Sequence, residues 1–186
     1  MNNKRWLHFA FVFLILFSVF RIAWVNYYAK TPEKHLYLQN EKIISKGVSY
    51  SLEKAVLWNY DLFFDNYPEY KEYKEEDKVY KNAKLLMLDI KVEIQHKENV
   101  FNASLPLKYE NVFNMPDPFF FEALNPILKN GIHSGDIIKL PYEIYSINLK
   151  KDQWRKVCDS EMEYNLVFSN YPERKELRIN DYEVME

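Results

Sequence analysis

The sequence predicts a mainly β protein, with a single N-terminal transmembrane helix followed by an antiparallel β-sandwich of about seven strands. Three observations carry that prediction. Trp6 to Val25 is an apolar run of 20 residues, long enough as a helix to cross the hydrocarbon layer. Downstream, apolar side chains recur every second residue in several short stretches, the period of a strand with one buried face. The chain of 186 residues contains only three glycines, too few for Gly-rich phosphate loops or a nucleotide-binding α/β fold.

Composition narrows the class further. Hydrophobic residues make up 48% and aromatics 17%, enough for a packed core and against general disorder. Lys+Arg 25 against Asp+Glu 27 describes neither a polybasic nucleic-acid binder nor an acidic tail, and no nucleic-acid partner is expected. One cysteine excludes a disulfide scaffold and any cysteine-based zinc site.

Charge divides the chain in two. Residues 1–30 hold Lys4, Arg5, Arg21 and Lys30 and no acid, whereas 31–186 are net acidic. Phe9 to Phe20 is uninterrupted, and Phe9 to Phe17 has no polar face for a soluble helix to expose. His8 and Arg21 lie near its ends, where Arg21 reaches the headgroups with its stem in the apolar layer. Trp6 at one boundary, and Trp24, Tyr27 and Tyr28 at the other, are the aromatic edges that interfaces favour. A cleaved signal peptide requires small residues before the cut; FRIAWVNYYAK offers large ones, so the segment reads as an uncleaved anchor. Lys4 and Arg5 hold the amino end in the cytoplasm. The expected organisation is a short cytoplasmic tail at 1–5, the anchor helix contacting the bilayer at 6–27, a linker at 28–35 and an extracytoplasmic domain at 36–182.

The strands follow in order. Leu36 to Ser45 is a weak candidate. Val48, Tyr50, Leu52, Val56 and Trp58 form one row, interrupted by Lys54. Asp61 to Lys81 is charged and tyrosine-rich, a loop or short helix. Leu86, Leu88, Ile90, Val92 and Ile94 alternate with Asp89, Lys91, Glu93 and Gln95, the clearest strand in the chain. Ala103 to Tyr109 is another weak candidate, and Phe119 to Leu128 allows a helical turn. Ile138, Leu140, Tyr142 and Ile144 follow the turn Ser134-Gly135-Asp136, and Pro141 confines that strand to an edge or a bulge. Tyr164, Leu166 and Phe168, then Leu177 and Ile179 after Asn170-Tyr171-Pro172-Glu173, make a hairpin.

A family resemblance rests on four features in order: the anchor with Leu38-Gln39-Asn40-Glu41-Lys42, then Gly47-Val48-Ser49-Tyr50-Ser51-Leu52-Glu53-Lys54-Ala55, the long alternating strand, and Ser134-Gly135-Asp136 before an apolar strand. Over residues 36–180 this resembles the immunoglobulin-like extracellular domains of uncharacterised membrane-anchored proteins of Gram-positive bacteria. The resemblance implies an immunoglobulin-like sandwich outside the membrane, with no catalytic residues to transfer.

Chemistry is sparse. His8, His35, His96 and His133 share no ligand spacing, and no metal or cofactor is expected. His133, Ser134 and Asp136 are triad residue types, but they crowd within four positions of a turn, whereas a triad draws its members from separated segments. Glu69, Glu72, Glu75, Glu76 and Asp77 are interleaved with Lys71, Lys74 and Lys78, the pattern of a solvated face rather than a calcium site. Asp61 and Asp65 flank Leu62-Phe63-Phe64 and read as surface or capping residues. Asn102-Ala103-Ser104 matches a glycosylation acceptor, which matters only in a eukaryotic host. Cys158 reads as a buried, inert thiol.

Phe119, Phe120 and Phe121 are the candidate contact loop, because three adjacent phenylalanines cannot all point inward from a strand. The functional expectation is a non-catalytic binding module or accessory subunit at the cell envelope, meeting a protein or cell-wall partner. An envelope hydrolase whose site the sequence does not display is the alternative.

Overall fold

The computed structural model describes residues 3–29, 32–74, 82–95 and 105–186. The chain forms two compact units, Met1–Pro32 and Glu33–Glu186. The first is the helix α1, Asn3–Tyr28. Its 26 residues extend roughly 39 Å at the α-helical rise, and the window Phe11–Tyr28 is long and apolar enough to cross a membrane. Phe20, Trp24 and Tyr28 stack one helical turn apart, with ring centroids 5.8 Å and 4.6 Å apart. Trp6, Trp24, Tyr27 and Tyr28 are all exposed within their own unit. The side chains of Lys4 and Arg5 lie outside what is described, as does Lys30.

In the second unit the order is β1 (Glu33–Tyr37), β2 (Ile43–Ser45), β3 (Val48–Asn59), α2 (Tyr60–Asn66), a 3-10 helix (Pro68–Tyr73), β4 (Ala83–Ile94), β5 (Leu107–Tyr109), β6 (Val112–Asn114), α3 (Pro118–Leu124), a second 3-10 helix (Pro126–Asn130), β7 (Ile137–Tyr145), α4 (Lys151–Cys158), β8 (Tyr164–Ser169), β9 (Glu173–Ile179) and β10 (Glu183–Met185). One sheet runs β1-β9-β8-β5-β6. The other runs β10-β3-β4-β7, with β2 on the same edge of β3 as β10. The result is a mainly β sandwich of two open sheets. Among the described residues ten strands replace the expected seven, because β2, β5, β6 and β10 are three-residue pieces too short to show a period. Two pairings, β1 with β9 and β10 with β3, are parallel. Both involve a terminal strand of the unit, which reaches a sheet edge without needing a crossover from its neighbour.

The main core lies between the sheets. Leu86, Leu88, Ile90 and Val92 of β4 and Ile138, Leu140, Tyr142 and Ile144 of β7 meet Leu107, Tyr164, Leu166, Phe168, Leu177 and Ile179 from the opposite sheet. Tyr142 donates its hydroxyl to the Leu105 carbonyl at 2.7 Å inside this core. Burial pushes the Tyr109 phenol up to about 12, opposed by its hydrogen bond with Asn114, so it remains protonated at any physiological pH.

Pro141 lies in β7, which ends its sheet as expected. What closes that edge is Asn125, at the end of α3. Its amide nitrogen donates to the carbonyls of Phe121 and Lys139, each at 2.8 Å, and its oxygen accepts from the Lys139 N–H, also at 2.8 Å. Asn125→Ala removes a buried side chain and strips the part-buried Lys139 N–H of its partner. The expected cost is about 2 kcal/mol, read as a lowered thermal midpoint of the full chain.

The outer face of the other sheet holds Glu176, fully buried yet charged. Burial drives its pKa up, but Lys34 at 2.9 Å and Arg174 at 2.5 Å outweigh it and hold the carboxyl below the usual glutamate range. A depressed folded pKa contributes stability above the unfolded value that is lost as pH falls through the folded one. Thermal midpoints measured from pH 7 downward are therefore expected to fall once the pH drops below about 4.3, the ordinary glutamate value. The Glu176→Gln variant should show a shallower fall; an unchanged slope would count against this ion cluster.

Candidate functional site

Strand β3 contains one residue more than its partner. The pairing with β4 runs Val48 opposite Ile94, Tyr50 opposite Val92 and Leu52 opposite Ile90, then resumes with Lys54 opposite Asp89 and Ala55 opposite Leu88. Glu53 is the bulged residue, exposed, with the Ser51 hydroxyl 3.2 Å from its carboxylate. An extra residue exchanges the two faces of everything beyond it. Val48, Tyr50 and Leu52 face the main core, but beyond the bulge Ala55 and Leu57 take over that role. This corrects the single row read from the sequence: Val56 and Trp58 do not continue it, and Lys54 does not interrupt it. All three lie on the outer face.

That face is built in cross-strand rows. Lys54, Asp89 and Lys139 form the first, Val56, Met87 and Pro141 the second, and Trp58, Leu85 and Glu143 the third. Strand β4 is consequently apolar on both faces through its first half, where Leu85 and Met87 belong to a second core. That core is roofed by helices. Asn59 caps α2, its side-chain oxygen accepting from the Asp61 and Leu62 N–H groups at 3.1 Å and 3.3 Å. Phe63 and Phe64 are thereby turned toward the sheet. Asp117 caps α3 by accepting from the Phe120 N–H at 2.7 Å, with Pro118 opening the first turn. Phe120 packs against Phe63, Phe64, Tyr70 and Tyr73 with ring centroids 5.7 to 5.9 Å apart. At one end of this roof Glu143 accepts from the hydroxyls of Tyr60, at 2.8 Å, and Tyr145.

Where the roof stops, a cleft of about 200 Å³ opens between α2, the following 3-10 helix and the sheet. Trp58, Phe63, Tyr67 and Tyr70 give it aromatic walls, with Val56, Met87 and Leu124 completing the apolar surface. Lys54, Glu69, Asp89 and Lys139 supply its polar part. Lys54 is held at 2.9 Å by Glu183 of β10, and that hydrogen bond and charge keep the ammonium protonated beyond its usual range. Glu69, Asp89 and Lys139 have no ion pair among the described residues. Among those same residues the lining holds no Ser, His or Cys. Its side chains offer aromatic faces for stacking and charged groups for hydrogen bonding.

The three phenylalanines of the expected contact loop separate. As residues of one helix, they point in different directions. Phe120, 1% exposed, enters the outer-face core; Phe121, 6% exposed, enters the main core; Phe119, 72% exposed, is the one a partner can reach. Phe119 borders a shallow depression with Glu72, Tyr73, Glu122 and Lys129. The tyrosines divide between roles: Tyr60, Tyr70 and Tyr73 pack on the second core, while Tyr67 is exposed beside the cleft.

The remaining candidates fall as structural residues. The His133 N–H donates to the Asp136 carboxylate at 2.7 Å, and Gly135 at φ +99° turns the chain, so those residues are a turn. Asp61 pairs with Lys74 at 2.7 Å, and Asp65 is exposed. Among the described residues no group of three His, Cys, Asp or Glu is placed to hold a metal. Glu75, Glu76, Asp77, Lys78, His96 and Asn102-Ala103-Ser104 lie outside the described residues. Cys158 is partly buried, and burial pushes its thiol pKa up, which lowers its thiolate reactivity. The cleft residues do not stand out in the sequence because Trp58 and Val56 read as core. The available signal is Glu53-Lys54, two charges in succession within an apolar row.

A family model described as Domain of unknown function (DUF5028) matches residues 33–175, which starts at the first residue of β1 and ends within β9. No curated protein and no solved structure matches the chain.

Proposed function

We propose that this chain, which belongs to the DUF5028 family, is a membrane-tethered extracytoplasmic binding module, non-catalytic, that meets its partner through the helix-roofed face of the β10-β3-β4-β7 sheet. The observation carrying this reading is the aromatic cleft on that face, a formed pocket with charged groups among its lining. The apolar helix supplies a tether, and Lys4 and Arg5 ahead of it favour an amino end in the cytoplasm with Glu33–Glu186 outside. The resemblance to immunoglobulin-like extracellular domains of Gram-positive bacterial proteins supports the same side of the membrane and a wall or protein partner.

The test uses intact cells carrying the full chain. Protease added outside should digest the domain while the membrane stays sealed. A photo-crosslinking amino acid at Phe119 should capture a partner, and one at Ile147, also well exposed but on another segment, should not. Protection of the domain from protease, or identical capture from both positions, overturns the proposal.

A further inference from the structure

We infer that the cleft beside Trp58 is a carbohydrate subsite that seats one neutral pyranose unit of an envelope glycan, an assignment that rests on the extracytoplasmic binding reading above. Size is the first ground. A volume of about 200 Å³ is below the range of roughly 300–1,000 Å³ that encloses drug-sized ligands. It matches a single ring, not an extended chain.

Charge is the second ground. In the row Lys54, Asp89, Lys139 the carboxylate lies between two ammonium groups. An entering phosphate would meet Asp89 and Glu69, while Lys54 is already engaged by Glu183. A ligand without negative charge avoids that repulsion.

The third ground is the division of the walls. A pyranose has C–H faces that lie against aromatic rings and a rim of hydroxyls that both donate and accept hydrogen bonds. The cleft offers Tyr67, exposed and 4.9 Å from the Phe63 ring and 5.8 Å from the Trp58 ring, for the first requirement. Lys139 as donor, and Asp89 and Glu69 as acceptors, meet the second. A peptide strand finds less here, because the backbone of β3, β4 and β7 beneath the cleft is consumed in the ladder.

The experiment is saturation-transfer NMR on the full chain in lipid nanodiscs, with glucose, galactose, mannose and N-acetylglucosamine as probes. Choline, inorganic phosphate and a pool of free amino acids are run beside them. Transfer to at least one pyranose is expected. Its affinity should fall about tenfold in Tyr67→Ala and in Asp89→Asn, equivalent to about 1.4 kcal/mol, and should be unchanged in Ile147→Ala. Circular dichroism melts of each variant identify any loss that comes from unfolding. The inference is overturned if no pyranose shows transfer, if only choline, phosphate or amino acids do, or if pyranose transfer survives in both cleft variants. A surviving Phe119 crosslink alongside any of those results removes the glycan assignment and keeps the binding module; loss of the crosslink as well removes both.

Discussion

Deleting Glu53 is expected to leave the domain folded, whereas deleting Leu57, four positions further along the same strand, is expected to abolish folding. Without Glu53, Leu52 is followed by Lys54 and Ala55, and the alternation becomes regular with every remaining side chain on its present face. Without Leu57 the strand has two options. Either Trp58 is drawn into the space of a fully enclosed leucine, or the bulge is absorbed and Lys54 turns into the main core. Overpacking of the first kind costs about 1–3 kcal/mol or more. An unpaired ammonium in an apolar core costs several kcal/mol. Either result, on top of removing the buried leucine itself, consumes much of the roughly 5–15 kcal/mol that holds a domain together. Protease resistance and a cooperative thermal transition of the two full-length deletions decide the matter. Under the uninterrupted row suggested by the sequence, deleting Glu53 would instead reverse half the strand, so equal damage from both deletions would rule the bulge out.

Phe120→Ala is expected to destabilise the domain by about 3–5 kcal/mol, while Phe119→Ala changes it by less than about 0.5 kcal/mol. The difference follows from packing. Phe120 is the ring around which Phe63, Phe64, Tyr70 and Tyr73 assemble, and no neighbour can close the gap without unseating α2 from the sheet. Phe119 touches solvent along most of its surface. Denaturant titration of both variants in the same lipid environment gives the comparison, and similar midpoints would show that the roof over the sheet is not organised around Phe120. Because Phe63 and Leu124 also line the cleft, loss of the Phe120 ring should disturb the pocket as well.

Much of the architecture is legible in the residues. The apolar helix, the alternation in β4, the edge position implied by Pro141 and the β8-β9 hairpin all follow from patterns that act within one segment. Helix α4 is absent from the sequence-based expectation. Strands β1 and β10 join their sheets through partners more than a hundred positions away, so nothing local announces them.

The sequence alone determined which segments are apolar and with what period, because burial on one face of a strand leaves its mark residue by residue. Only the tertiary structure decided which face each residue occupies. Glu53 reverses the phase of β3, and no pattern within the strand distinguishes a buried row from one that changes sides. The cleft exists because of that reversal. Lys54, Val56 and Trp58 meet Asp89 and Lys139 across the sheet, and the side-chain direction that brings them together is fixed by pairing between strands rather than by the strand itself.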